Sequence, residues 1–168
     1  MPPTKLLFDL ASIDPGRVVL SKDEIRSLNP QRFEFEQLDR VTHFDPEERI
    51  IVGVRELHPD EFWVRGHMPG RPIFPGVLML ESAAQLCSVY HTKTLGPTGI
   101  FAFGGADEVR FRRMLTVGDE LVLVAQAQSL SPRRSRFQTQ GFSAGQLAFE
   151  AIILGVAVPE ASVKVSER

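Results

Sequence analysis

The feature that most constrains this chain is a loop-forming run at residues 66–76, followed at once by an apolar segment. Three prolines and three glycines fall within residues 66–76, whereas residues 77–95 contain neither. Proline has no backbone N–H to donate, so neither a helix nor a central strand can run through this stretch. We therefore predict an ordered loop and then a helix over residues 76–95, bounded by Gly96-Pro97. That helix would be roughly 30 Å long, enough to cross a small domain.

The predicted helix is apolar on nearly every face, which is typical of a buried helix. Its polar residues Glu81, Gln85, Ser88 and Thr92 recur at i, i+4, i+7 and i+11, so they form one seam. This seam has two interpretations. It is a narrow solvated edge of the helix, or it directs the Glu81 carboxylate into a cleft, since burying a glutamate without a partner or a role costs free energy. Periodicity alone favours neither interpretation.

His67 lies in the loop, fourteen residues before Glu81. The surrounding prolines and glycines restrict its backbone, so its ring can be held at little further entropic cost. A fixed imidazole is a candidate general base, because its ordinary pKa lies close to neutral pH. A single loop histidine is nevertheless more often structural or solvated.

Composition indicates one globular domain. The chain has 168 residues, 43% of them hydrophobic, and a net charge of −2 from 19 basic and 21 acidic residues. Nothing in this balance favours nucleic acid or an anionic membrane as the main partner. The lone Cys87 excludes an intrachain disulfide, offers no metal-site spacing and suits a reducing, cytoplasmic compartment. A thiol buried in this helix is a poor nucleophile, because burial raises its pKa.

Strand patterns surround the helix, while the N-terminus differs in character. The apolar cluster at residues 6–8 is too short for a signal peptide or a membrane span. A capping-box pattern at residues 21–24 predicts a short helix that ends before Pro30, within an N-terminal extension over residues 1–29. Strands are predicted at residues 48–57, 61–64, 101–103, 108–111, 120–128, 135–142 and 146–158. One helix among antiparallel strands predicts the α+β class.

The loop and the helix also carry a family resemblance. The pattern Gly-His-x-Pro-Gly-x-Pro-x-x-Pro-Gly-Val-Leu from Gly66, followed by Glu81 and Gln85, resembles the signature of (3R)-hydroxyacyl-acyl carrier protein dehydratases of the FabZ/FabA type. The similarity continues through Leu-Asp-Arg-Val at residues 38–41 and Ala-Asp-Glu-Val-Arg-Phe-Arg-Arg at residues 106–113. It implies a hot-dog fold over residues 30–168, an antiparallel sheet wrapped around the central helix. It further implies active sites at the interface of a homodimer or of a trimer of such dimers.

The resemblance also implies an activity. This is the dehydration of a (3R)-3-hydroxyacyl-acyl carrier protein to the trans-2-enoyl form, a hydro-lyase step of fatty acid or related lipid biosynthesis that needs no cofactor or metal. His67 would be the base at the α-carbon, and Glu81 of the partner subunit the acid at the hydroxyl. The backbone N–H of Gly76 would bind the thioester carbonyl, and Gln85 would orient Glu81. Glutamate at this position, where aspartate is the alternative, favours a plain dehydratase over one that also isomerises the double bond.

The acyl chain and the carrier need further surfaces. The candidate walls of an acyl tunnel are apolar residues that are equally plausible as plain core: Phe74, Val77, Phe101, Phe103 and Met114. Acyl carrier protein is acidic, so docking on arginines is expected, although a solvated strand face explains them equally well. The candidates are Arg110, Arg112, Arg113, Arg133, Arg134 and Arg136. The remaining histidines, His43, His58 and His91, are predicted to lie on the surface.

Two alternative functions stay open. A hot-dog thioesterase would share the fold but would not use the pair of His67 and Glu81. A non-catalytic acyl-thioester-binding paralogue is favoured by the N-terminal extension and by Glu34 and Glu36, which stand where the family has apolar residues. The intact motif argues against that paralogue.

Overall fold

The computed structural model describes residues 5–14 and 16–159. Six antiparallel strands form one sheet in the order β1-β2-β4-β5-β6-β3. The strands are β1 (Arg40–Asp45), β2 (Ile50–Glu56), β3 (Ile100–Phe111), β4 (Glu120–Leu130), β5 (Arg134–Ser143) and β6 (Gln146–Val158). The helices are α1 (Lys22–Leu28) and α2 (Gly76–Leu95), with short 3-10 turns at Leu10–Ser12 and Phe33–Phe35. The sheet packs around α2, which confirms the predicted α+β class and architecture.

Helix α2 has the predicted ends. Pro75 precedes it, and Gly96 ends it with a φ of 77°, a left-handed conformation that favours glycine. Its middle turns are buried against the sheet, where the Tyr90 ring lies 5.4 Å from that of Phe44 and 5.7 Å from that of Phe137, whereas residues 93–95 at its C-terminal end are exposed. The first turn differs from the prediction, because Val77 is 71% exposed.

The strand predictions are mostly confirmed. Segments 101–103 and 108–111 form one strand, β3. The residues between them also belong to this strand, although its pairing with β6 is irregular there. Strand β1 was not predicted. The expected strand at residues 61–64 is wrong: the segment is a turn in which the Val64 N–H donates to the Glu61 carbonyl at 3.1 Å.

A glycine in β2 lets the sheet approach the helix closely. A Cβ added at Gly53 would lie 2.8 Å from the Leu86 side chain, well inside van der Waals contact. Any larger residue would force the buried Leu86 side chain to move within a close-packed core.

The segment before β1 covers two parts of the domain. Helix α1 has the predicted capping box between Ser21 and Glu24, and it buries Ile25 in the main core. Apolar side chains of residues 7–13 pack on the outer face of the sheet over a separate cluster, which consists of Ile50, Val52, Val124 and Phe142. The buried Gln140 amide fixes this arm, since it accepts from the Leu7 N–H and donates to the Lys5 carbonyl, both at 2.9 Å.

Two of the three histidines predicted on the surface are partly or fully buried. His58 is exposed as predicted, whereas His43 is half-buried against Phe8 and His91 is fully buried. The His91 ring nitrogens lie 2.8 Å from Ser135 Oγ and 2.9 Å from Thr98 Oγ1. The surface prediction for His91 is wrong because β5 and the segment after α2 enclose the end of the helix.

Burial lowers the pKa of His91 below its ordinary value of about 6.5, since desolvation penalises the charged ring. The unfolded chain therefore takes up this proton at a higher pH than the folded chain does. The lowered pKa of His91 therefore has no effect on the free energy of unfolding above about pH 6.5, and it reduces that free energy as the pH falls below this value.

Candidate active site

The loop between β2 and α2 is fixed to the core at both ends. Near its start, the Trp63 carbonyl accepts hydrogen bonds from the N–H groups of Gly66, at 3.2 Å, and His67, at 2.8 Å. Near its end, the Phe74 N–H donates to the Leu115 carbonyl at 2.7 Å. The buried rings of Trp63 and Phe74 meet edge to face with centroids 5.3 Å apart. This aromatic contact joins the two ends of the loop that carries His67.

A buried ion pair supports the same loop. The Arg55 guanidinium lies 5.9 Å from the centroid of the Phe74 ring and pairs with the carboxylate of Glu61. That carboxylate also accepts from the Trp63 indole N–H at 2.9 Å and from the His58 N–H at 2.7 Å. Because a buried charge without its partner is strongly destabilising, loss of Arg55 would loosen the loop through Glu61.

Hydrogen bonds to Ile73 set the tautomer of His67. The Ile73 N–H donates to the His67 carbonyl at 2.7 Å, and His67 Nδ1 lies 2.7 Å from the Ile73 carbonyl oxygen. A carbonyl oxygen can only accept, so Nδ1 carries the proton. In the neutral ring Nε2 then holds the lone pair. The loop thus fixes a half-buried imidazole with Nε2 available to remove a proton.

Gly76 places an open backbone at the start of α2. The Leu78 and Met79 N–H groups donate to the Pro75 carbonyl at 2.9 and 3.3 Å. The N–H groups of Gly76 and Val77 precede these first helical bonds, so they can bind an oxygen that carries negative charge. A Cβ at Gly76 would lie 2.9 Å from the Phe111 ring of β3. Glycine at this position therefore makes room for the Phe111 ring against the start of α2.

Glu81 and Gln85 are joined as neighbours one turn apart. Gln85 Nε2 donates to Glu81 Oε1 at 2.8 Å and to the Phe35 carbonyl at 2.6 Å, while its Oε1 accepts from the Gln37 N–H at 2.9 Å. Rotating the amide by half a turn would bring its oxygen against two acceptors, so the donor to Glu81 is fixed. Gln85 thereby holds a half-buried carboxylate in one orientation.

Within the described residues 5–14 and 16–159 of one protomer, the side chains of His67 and Glu81 make no direct hydrogen bond or ion pair. Glu81 instead borders a cavity of about 30 Å³ between α2, β3 and β6, and His67 does not line it. Each protomer therefore presents two separate groups with complementary chemistry.

The predicted tunnel residues fall into three groups. Phe101 and Phe103 border the cavity beside Glu81. Phe74 is core, packed on Trp63 and Arg55 as described above. Val77 and Met114 are exposed apolar side chains, Met114 to 69%.

The predicted docking arginines also divide into two groups. Arg112 bonds to Glu150, Arg113 to Gln146, and Arg136 to Asp107 at 3.3 Å and to Gln128 at 3.0 Å. In the part of the chain that the structure describes, no acidic side chain pairs with the exposed Arg110, Arg133 and Arg134. Sequence reasoning missed Arg65 and Arg71, which are exposed on either side of His67 and likewise have no acidic partner among the described residues.

The Leu-Asp-Arg-Val motif has a structural role. Asp39 accepts from the Glu56 N–H at 2.7 Å and lies 3.3 Å from Lys22 Nζ. Arg40 bonds to the carboxylates of Glu56 and Glu120. These contacts join the start of β1 to the end of β2, the strand that leads into the His67 loop.

One of the two glutamates that depart from the family pattern, Glu36, forms an ion pair with the N-terminal extension. The guanidinium of Arg26 in α1 binds Glu36 through two hydrogen bonds of 2.7 and 2.8 Å, and it lowers the pKa of that carboxyl. Glu34 is exposed. The charge of Glu36 therefore has its own partner, and it does not face Glu81 as an unpaired carboxylate.

The described part of the chain holds neither an accessible thiol nor a cluster of metal-ligating side chains. The Cys87 thiol is buried, and burial raises its pKa well above the ordinary value. In residues 5–14 and 16–159, no three side chains of the usual ligating types converge as a metal site would require. Neither α1 nor α2 is long and apolar enough to cross a membrane.

Comparisons with known proteins identify relatives of this chain. A model of the FabA-like domain matches residues 29–152. The 3-hydroxyacyl-[acyl-carrier-protein] dehydratases FabZ of Escherichia coli and Shigella boydii are each 35% identical over 138 residues, covering 80% of this chain and 91% of theirs.

Solved structures support the fold at low sequence identity. The dehydratase heterocomplex ApeI:P from Xenorhabdus doucetiae aligns with a TM-score of 0.69 at 14% identity, covering 84% of this chain and 93% of that one. A mutant thioesterase from Pseudomonas aeruginosa aligns with a TM-score of 0.63 at 14% identity, covering 85% and 97%. Together with the family model and the FabZ relatives, these likenesses show that the chain belongs to the FabA-like, FabZ-type dehydratase family of hot-dog proteins.

Proposed function

We propose that this protein dehydrates (3R)-3-hydroxyacyl-acyl carrier protein to the trans-2-enoyl thioester. The observation that carries the proposal is the hydrogen bond from His67 Nδ1 to the Ile73 carbonyl, which leaves Nε2 as a fixed proton acceptor. The FabZ relatives, 35% identical, are dehydratases of such substrates.

The elimination needs one base and one acid. His67 Nε2 removes the proton from the α-carbon, and the electron pair of that C–H bond forms the new double bond. The bond from C3 to oxygen breaks, and protonated Glu81 donates its proton to the departing hydroxyl, which leaves as water. The imidazolium and the carboxylate then exchange a proton through solvent, which restores the starting state. No cofactor enters this balance.

The thioester carbonyl gains negative charge as the α-proton leaves. The N–H of Gly76 and the positive end of the α2 dipole stabilise that charge, since they are fixed before the reaction begins. Gln85 acts on Glu81 alone, because its three hydrogen bonds leave no further donor for the substrate.

We further propose that His67 of one protomer works with Glu81 of a second copy. Strand β3 is a twelve-residue edge strand, and long exposed edges pair readily with another chain. Four large apolar side chains on or near β3 and the start of α2 are exposed: Val77, Phe103, Phe111 and Met114. Such a set is typical of an interface, and a homodimer through β3 would cover it.

The carrier is proposed to dock beside the loop that holds His67. Arg65 and Arg71 flank that histidine, and like Arg110 they have no acidic partner among the described residues. Arginines match the geometry of phosphate oxygens and the charge of an acidic carrier. These exposed guanidinium groups would steer the phosphopantetheine arm toward the site.

The direct test is the formation of 2-enoyl thioester from a 3-hydroxyacyl-acyl carrier protein, followed by its ultraviolet absorbance. We expect turnover by the wild type and loss of most of it in His67→Ala and in Glu81→Gln. His58→Ala is the matched control, because His58 is an exposed histidine of the same loop and is expected to keep full activity. Binding of the acyl thioester without turnover would support the non-catalytic paralogue, and hydrolysis of the thioester would support the thioesterase.

A further inference from the structure

The cavity beside Glu81 is small and is bounded by two kinds of wall. Its volume of about 30 Å³ has room for water, since a site needs at least about 10–15 Å³ to hold one water molecule. Its lining residues come from α2, from β3 and β6, and from the segment before β1: Gln31, Glu81, Ala84, Gln85, Ser88, Phe101, Phe103, Ile153 and Leu154. The cavity is therefore far smaller than the pockets that hold extended ligands.

The apolar wall cannot retreat easily. Ile153 is fully buried and Phe101 is 8% exposed, and both belong to the main core. The Phe101 ring lies directly on the backbone of Gly155 in β6, so closely that a Cβ there would collide with it. Because close-packed cores resist insertion of even one methylene, a long acyl chain would have to displace this wall.

The polar wall has unused hydrogen-bonding atoms. Gln31 Oε1 is shielded from solvent and has no hydrogen-bond partner. Over the described residues the Ser88 hydroxyl forms no hydrogen bond either, although it lies in the same seam as Glu81 and Gln85. A water molecule in the cavity would satisfy these groups, whereas a methylene would leave them without partners.

We propose that Gln31 and Ser88 close the acyl site just beyond Glu81 and make the protein a dehydratase of short-chain 3-hydroxyacyl thioesters. The inference rests on the proposed function. Beyond the carbon that bears the hydroxyl, a 3-hydroxybutyryl group has a single methyl, which leaves both walls in place. Each added methylene must enter beside Gln31 and Ser88, to which it cannot hydrogen-bond, and must press on Phe101.

The experiment compares kcat/KM for 3-hydroxybutyryl- and 3-hydroxyoctanoyl-acyl carrier protein in four proteins: the wild type, Gln31→Ala, Ser88→Ala and Ser82→Ala. Ser82 is the matched control, because it is a buried serine of the same helix that donates to the Leu78 carbonyl and does not line the cavity. We expect the wild type to prefer the butyryl substrate by at least about tenfold. Gln31→Ala and Ser88→Ala each shift the ratio toward octanoyl by about tenfold, and Ser82→Ala leaves it unchanged.

A wild type that uses the octanoyl substrate as well as or better than the butyryl one overturns the inference and leaves the dehydratase intact. A preference that stays unchanged in folded Gln31→Ala and Ser88→Ala also overturns it, because these side chains then do not set the limit. Absence of turnover on both chain lengths overturns the proposed function itself. The wild-type comparison needs no variant, so misfolding of a variant cannot leave the inference untested.

Discussion

Replacing Gln85 by leucine should separate the stability of the domain from the orientation of its acid. Leucine is similar in size but forms none of the three hydrogen bonds that the Gln85 side chain makes. The Gln37 N–H is buried and loses its acceptor, which costs about 1–3 kcal/mol, and the partly buried Phe35 carbonyl loses about 0.5–1.5 kcal/mol. The free energy of unfolding should therefore fall by about 2–4 kcal/mol.

The same substitution removes the hydrogen bond that orients Glu81. A hydrogen bond to the carboxylate that forms as Glu81 gives up its proton contributes about 1.5–3 kcal/mol, so loss of the orienting donor should lower kcat by about 10- to 100-fold. Trp63 is the single tryptophan and is buried, so its fluorescence reports unfolding in urea. Protein concentration must be held constant, because association with a second copy shifts the midpoint.

Gln140→Leu is the matched control for Gln85→Leu. Gln140 is also a buried glutamine with two hydrogen bonds to backbone groups, but these hold residues 5 and 7 on the far face of the sheet. We expect it to lower stability by about 1–2 kcal/mol and to leave kcat unchanged. If Gln85→Leu keeps the wild-type kcat, or if Gln140→Leu lowers kcat equally, the orienting role of Gln85 is refuted.

Three further predictions concern single groups. The urea midpoint of unfolding should be lower at pH 5.5 than at pH 7.5, because burial lowers the pKa of His91. The decrease should be smaller in His91→Gln, and a midpoint independent of pH in this range would contradict this prediction. Gly76→Ala should fold, because the half-exposed Phe111 ring can turn aside, but its kcat should be about 10- to 100-fold lower than that of the wild type. Gly66→Ala, which has open space at its Cβ, should match the wild type. Cys87 should react with a thiol reagent only in urea, and rapid reaction of the native protein would show that the thiol is accessible.

The parts of this molecule that the sequence predicted are those fixed by nearby residues. Helix α2 begins at Gly76 and ends at Leu95 because proline and glycine punctuate both ends locally. The capping box of α1 lies within four residues, and the contact of Glu81 with Gln85 lies within one helical turn. Such signals need no knowledge of the rest of the chain.

The parts that were missed depend on partners far along the chain. His91 is buried because Ser135, 44 residues later, bonds to it. Strand β1 lacks a clear apolar alternation and is formed by pairing with β2. The segment at residues 61–64 turns because the Glu61 carboxylate bonds back to the His58 N–H and the Trp63 indole, a contact that its β-prone composition does not reveal.

The sequence predicted which residues belong to the candidate site, but the geometry of those residues depends on tertiary contacts. The motif identified His67 as a candidate base, but the choice of Nε2 depends on the carbonyl of Ile73 across the closed loop. Likewise, the seam along α2 did not reveal that residues 35 and 37 hold the Gln85 amide from about fifty positions away.

The most direct test of the account is complementation between two inactive variants, because its central claim is a site shared by His67 of one protomer and Glu81 of another. His67→Ala and Glu81→Gln are unfolded together, refolded as an equal mixture and assayed for 2-enoyl thioester formation. Half of the randomly formed dimers are mixed, and each mixed dimer has one intact site of two, so the account predicts recovery of about a quarter of the wild-type rate. Mixed dimers that form but recover no activity would contradict it.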